Sequence, residues 1–320
     1  MRKICKNDLY RSNIYFLLIL LGSIFVPFIL AYVFYFLGIT DTRIRLTLSH
    51  IILFLVPAVI YFIVTKKNVK ETLRLNKLHI EDVGIILLIS VLTYPLMGCA
   101  AIISSMFAKN NVGEYISSIS STPYIVMILL FGVMPAITEE VTLRGIVLSG
   151  YNNQSKIKAA LVTGILFGIF HLDFHQFLYA SVLGFVMAYL VRVTNSIFSS
   201  MILHFTVNSM SVTIQKITSL KVNPSIAESA DNVDFTALSA GEKMAYIRVA
   251  IIFGICIFGI VFKLLKVLER WDMERKLAYG IPLETEMVRN EEGVKERIIN
   301  IPLILIIVVY VTAMWLTSLI

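Results

Sequence analysis

The chain has 320 residues, of which 58% are hydrophobic and 15% charged; ordinary soluble domains run at roughly 45–50% and 25%. With a mean hydropathy of +0.82, too little polar surface exists to solvate a globule of 36.1 kDa. This excludes a soluble enzyme, a disordered chain and a secreted disulfide scaffold, and implies a multi-spanning membrane protein. The net charge of +7 reads as basic loops held on the cytoplasmic side. It does not read as a nucleic-acid surface, because Lys and Arg cluster between apolar runs without interleaved aromatics.

The first apolar run, about 12–37, follows the basic stretch Arg2, Lys3, Lys6 and Arg11. It is too long for a signal-peptide core and reads as a retained anchor. Further spans are expected at about 46–65, 83–107, 123–149, 157–172, 176–191, 196–215, 244–266 and 300–320. The expected fold is therefore all-α, a polytopic transmembrane helix bundle of about nine spans. Spans 157–172 and 176–191 are short for a full crossing and suggest tilted helices or a hairpin inside the bundle.

Placing the N-terminus in the cytoplasm puts twenty Lys and Arg in the inside segments and six in the outside ones. That bias supports N-terminus in. Four regions follow: 1–122, with three spans; 123–215, the core; 216–243, an external loop; and 244–320, with two spans. Residues 263–299 alternate charged and apolar types around Trp271 and suggest an amphipathic helix on the inner membrane surface. Cys5, Cys99 and Cys256 are isolated and read as small buried residues, not as a disulfide framework.

Ionisable residues inside a span are costly, and each is a functional hypothesis. Three spans carry them. The first holds Glu139, Glu140 and Arg144. Glu140 and Arg144 are i,i+4 and can pair, while Glu139 projects about 100° away on the helix and is left for a site. The bland alternative is a charge cluster at the membrane edge, with the span ending at Ile137. The second holds Phe167 and His171 on one helical face, with His175 four residues further on. An HxxxH pair can bind zinc, although the glutamate of HExxH is missing; packing is the alternative. The third holds His204 and Asn208 one turn apart. Both can donate hydrogen bonds while neutral, and interhelical bonding explains them equally well. At about 1.5 Å rise per residue, Glu139, His171, His204 and Asn208 fall at similar depth. A carboxylate, two imidazoles and an amide converging in one bundle suggest hydrolysis.

In order, these motifs are Glu-Glu-x-x-x-Arg, Phe-x-x-x-His and His-x-x-x-Asn, within residues 123–212. Together they resemble the CPBP family of intramembrane proteases, also called Abi, which includes the CAAX prenyl endopeptidases. Thr142 and Leu143 depart from the usual apolar residue and Phe of the first motif. The resemblance implies an endopeptidase acting on a membrane-associated protein or peptide within the lipid bilayer of the cell membrane. It implies that Glu139 activates water and His171 holds it. His204 and Asn208 then stabilise the oxyanion, with Glu140, Arg144 and Phe167 as support. Zinc held by Glu139, His171 and His204 and a metal-free glutamate mechanism both stay open. So do two other classes: a non-catalytic scaffold or immunity protein, and a proton-coupled transporter. The last is disfavoured by the lack of an internal repeat.

Overall fold

The computed structural model describes residues 8–110, 113, 115, 119, 121–221, 235–280 and 297–317. Among these residues the regular structure is helix, with no strand. The main helices are α1 (Asp8–Phe36), α2 (Thr42–Thr65), α3 (Ile80–Ser105), α4 (Tyr124–Val147), α5 (Lys156–Phe170), α6 (Phe174–Thr194), α7 (Ile197–Lys221), α8 (Ala240–Ala278) and α9 (Ile301–Thr317). Seven of them, all but α5 and α9, are long and apolar enough to cross a membrane. Large apolar side chains such as Phe28, Tyr32, Val64, Ile80 and Phe253 are exposed on the outside of the bundle. They match a lipid-facing surface, since only helices that satisfy their own backbone can present such a face to hydrocarbon. The protein is an integral multi-pass membrane protein.

The helix ends follow local chemistry. Asp41, Ser155, Asp173 and Ser239 each accept a backbone N–H at the start of a helix. Ser239 and Glu242 complete a reciprocal capping box. Helix α5 stops at His171, and Leu172 turns the chain with a left-handed φ of 48° before Asp173 caps α6.

Helices α5 and α6 form the expected hairpin, and α6 is the most enclosed of the crossing helices. At 21 residues α6 is long enough to span, which corrects the reading of 176–191 as short; α5 remains short at 15. Small residues let the two backbones touch. A Cβ on Gly164 would lie 2.7 Å from the Phe185 nitrogen, and one on Gly168 would lie 2.5 Å from the Phe177 carbonyl oxygen. This is the small-residue packing expected where lipid offers no hydrophobic drive between helices.

Contacts between the helix ends gather in two groups. At one end Lys67 pairs with Asp8, Arg74 with the Asn152 side chain, Lys156 with Glu269, and Arg275 with Asp82. These partners come from segments expected on one side of the membrane. At the other end Ser105 meets His175, and Tyr124 meets Thr213.

Two further expectations are corrected. Residues 263–278 form no separate surface helix: they continue α8, a single rod of 39 residues. Leu265 and Leu268 are buried, and Arg275 clamps the buried Asp82 of α3 with two hydrogen bonds. Packing along α3 therefore prevails over adsorption to the surface. Residues 281–296 of that segment, 222–234 of the external loop and Cys5 lie outside the described residues. Cys256 is exposed, on the outer face of α8, rather than buried, and Cys99 is partly buried.

Candidate active site

Among the described residues, three stretches of π-helix interrupt the α geometry: Ile51–Leu55 in α2, then Ile128–Val133 and Val141–Val147 in α4. Such wide turns offset the hydrogen-bond ladder and are common at functional sites. The two in α4 bracket the segment Met134–Glu140, which ends in the paired glutamates.

The span does not end at Ile137. It continues through Val147, and Glu140 and Arg144 are fully buried with Oε1 and Nη1 3.1 Å apart. The Arg144 guanidinium lies 4.3 Å above the centre of the Phe167 ring, a contact that supplements its single carboxylate partner. Its Nη2 reaches the Gly184 carbonyl at 3.5 Å, at the place where Gly184 and Gly164 bring α6 against α5. The tight hairpin thus sets the position of Phe167 under the arginine.

His204 joins the two glutamates. Its Nδ1 lies 2.9 Å from Glu140 Oε1, and its Nε2 lies 3.9 Å from Glu139 Oε2. The separate faces expected for Glu139 and Glu140 are therefore bridged by one imidazole. Since the Glu140 carboxylate is the acceptor, Nδ1 carries the proton of that bond. Glu139 is only 8% exposed, yet among the described residues its carboxylate makes no hydrogen bond. A buried polar group in that condition is costly unless water or substrate serves it.

His171 caps α5. Its Nδ1 donates to the Phe167 carbonyl at 2.8 Å, which leaves Nε2 with a lone pair. Its ring meets Phe167 edge-on at 4.8 Å, and Phe167 meets His204 at 5.8 Å. Phe167 is thus the shared wall of all three motifs. Asn208 lies one turn beyond His204, and its Nδ2 donates to the Phe131 carbonyl at 2.9 Å. That carbonyl belongs to the first π stretch of α4. One amide N–H of Asn208 is thereby used, and the second remains for another acceptor.

His175 does not pair with His171. The turn at Leu172 separates them, and His175 Nε2 instead meets Ser105 Oγ of α3 at 3.0 Å. The HxxxH reading fails because the helix does not continue.

His204 and His171 each have Nδ1 engaged by an acceptor, as a carboxylate or carbonyl engages the far ring nitrogen of a zinc-bound histidine. However, no three His, Cys, Asp or Glu side chains gather as a metal-binding set among the described residues. The donor set as placed does not fit zinc.

One residue was missed by sequence reasoning. His50 of α2 places Nδ1 3.3 Å from the hydroxyl of Thr138, the neighbour of Glu139. The available signal was a histidine inside an apolar span.

A search of the curated proteins and of the solved structures gives no match to this chain. A family model does match: residues 121–210 correspond to the Rce1-like family, described as type II CAAX prenyl endopeptidase Rce1-like. The matched segment runs from just before α4 into α7 and holds Glu139, Glu140, Arg144, Phe167, His171, His204 and Asn208. Over those residues the chain, helical and apolar enough to cross a membrane, is similar to the Rce1-like type II CAAX prenyl endopeptidases.

Proposed function

We propose that this protein is an intramembrane endopeptidase that hydrolyses a peptide bond in a membrane-associated protein or peptide. The observation that carries the reading is the state of Glu139: buried, without a hydrogen bond among the described residues, and facing His204 Nε2 at 3.9 Å. A water beside Glu139 would give one proton to that carboxylate and its second hydrogen bond to His171 Nε2. Glu139 is then the general base, and the water oxygen is aimed at the scissile carbonyl.

The oxyanion donors are His204 and Asn208. With Nδ1 donating to Glu140, His204 offers a second N–H only as an imidazolium. Glu139, Glu140, Arg144 and an imidazolium at His204 sum to zero charge, which suits a buried cluster better than a net anion. Asn208 supplies its remaining amide N–H. Glu139 afterwards returns its proton to the departing amine. No step is routed through a metal.

The basic bias of the segments that share one end of the bundle supports a cytoplasmic N-terminus, and the seven long apolar helices support a membrane location. Terminal proteomics of membrane fractions, comparing wild type with Glu139→Ala, tests the reading. New termini that vanish in the variant identify the substrate. A phenotype that survives Glu139→Gln with no lost cleavage product would sink the protease in favour of a scaffold.

A further inference from the structure

We infer that His50 is a positioning residue of this site, acting through Thr138 to fix the turn that carries Glu139. The inference rests on the protease reading only for its kinetic test. Thr138 Oγ1 donates its single hydrogen to the Met134 carbonyl at 2.9 Å. Toward His50, 3.3 Å away, the same oxygen can only accept, so His50 Nδ1 bears the proton. The chain from His50 to Thr138 to Met134 ties α2 to the short α-helical segment Met134–Glu140. That segment stands between two π stretches, where the backbone ladder is offset and gives less support of its own.

A second observation points the same way. The remaining π stretch, Ile51–Leu55, begins immediately after His50. Phe54, inside it, is buried between the His50 and Phe170 rings at 5.2 Å from each, and Phe170 lies 6.0 Å from His171. With Phe167 between His171 and His204, a continuous line of rings joins His50 to the motif residues. All three π stretches thus adjoin one cluster, to which His50 and Phe54 contribute from outside residues 121–210.

The test uses the full chain in proteoliposomes, with His50→Leu, His50→Asn, His50→Gln, Thr138→Val and His50→Leu/Thr138→Val. An asparagine amide can stand in for Nδ1–H, whereas a glutamine amide stands nearer to Nε2. Cleavage of a fluorogenic farnesylated peptide is read for kcat and KM. Labelling of Glu139 by dicyclohexylcarbodiimide is read by mass spectrometry and needs no substrate. We expect His50→Leu to lower kcat about 10–100-fold with KM unchanged, the scale of a misplaced catalytic group. We expect His50→Asn to restore kcat to within about threefold and His50→Gln not to. Thr138→Val should match His50→Leu, and the double variant should be no worse than either. The rate of Glu139 labelling should change in His50→Leu and return in His50→Asn. Rescue by Gln instead of Asn, additive losses, or unchanged labelling overturns the inference. If wild type cleaves no better than Glu139→Gln, the protease reading fails for this substrate, and the labelling rates still decide the role of His50.

Discussion

Nδ1 of His204 lies 2.9 Å from Oε1 of Glu140, the same oxygen that lies 3.1 Å from Arg144 Nη1. One carboxylate oxygen therefore serves a guanidinium and an imidazole in a place closed to solvent. It orients His204 so that the other ring nitrogen faces Glu139. Glu140 thus holds both neighbours in place, whereas among the described residues Glu139 makes no hydrogen bond.

That division yields the first prediction. Arg144→Ala leaves Glu140 buried against a single partner, and removal of one member of a buried pair costs about 3–5 kcal/mol in soluble cores. Glu140→Gln should also lower thermal stability, and it should reduce activity by releasing His204. Thermal unfolding in detergent reads both. An Arg144→Ala protein of wild-type stability that lacks only turnover would place Arg144 in contact with substrate.

Glu139→Gln should behave oppositely, with activity at background and the unfolding temperature preserved, since no hydrogen bond of the fold is lost. His171→Ala should be nearly as severe, because the water loses its second acceptor. In the proposed mechanism His204→Ala and Asn208→Ala each remove an oxyanion donor, and each should lower kcat by about 10²–10³. His175→Ala should be mild, since that ring bonds Ser105 on the far side of the turn. A His175→Ala loss equal to that of His171→Ala, with His204→Ala harmless, would overturn the assignment.

Chelation separates the two versions of the chemistry. With no three donors gathered as a metal set among the described residues, activity should survive a strong chelator, and purified protein should hold far less than one zinc per chain. Stoichiometric zinc, with loss on chelation and recovery on readdition, would mean that the metal draws Glu139, His171 and His204 together.

The hairpin glycines give a prediction on the scaffold. Gly164→Ala forces a Cβ to 2.7 Å from backbone nitrogen and 2.9 Å from backbone oxygen of α6. The helices must part, at a cost of about 1–3 kcal/mol, and Phe167 and His171 move with α5. Activity should fall along with stability. Gly98→Ala, whose Cβ meets nothing within 4 Å, should leave both unchanged. Equal effects at the two positions would contradict the close packing of α5 on α6.

Much of this arrangement is legible in the sequence. Apolar length marked the helices, and i,i+4 spacing paired Glu140 with Arg144. His204 beside both glutamates was not legible, because side chains one residue apart on a helix diverge and only a third helix can bridge them. Phe167 beneath Arg144 depends on how α5 lies against α4, which no local pattern encodes. His50 escaped because its partner, Thr138, is 88 positions away and looks like any helical threonine. The straight continuation of α8 escaped for a different reason. Its charged residues have an amphipathic pattern, but Asp82 of α3 supplies the partner that holds Arg275 along the bundle.

The packing of α8 on α3 can be tested with a cysteine already present. A Cβ placed on Gly254 would lie 3.5 Å from the Cβ of Cys99, at the lower edge of the roughly 3.5–4.5 Å that disulfides span. Gly254→Cys, in a chain where Cys5 and Cys256 are replaced by Ala, should therefore cross-link to Cys99 in native membranes under mild oxidation. Removal of Cys256 matters because that exposed thiol lies on the same helix. Gly259→Cys is the matched control, since its Cβ meets nothing within 4 Å; it should stay open to alkylation. The bond is read as a linked peptide pair by mass spectrometry and as lost alkylation that a reductant restores. Because the cross-link joins two helices outside the motif segment, activity should persist. Cross-linking at 259 but not at 254 would mean that α8 is rotated or shifted along α3, and the Asp82–Arg275 clamp would then have to be redrawn with it.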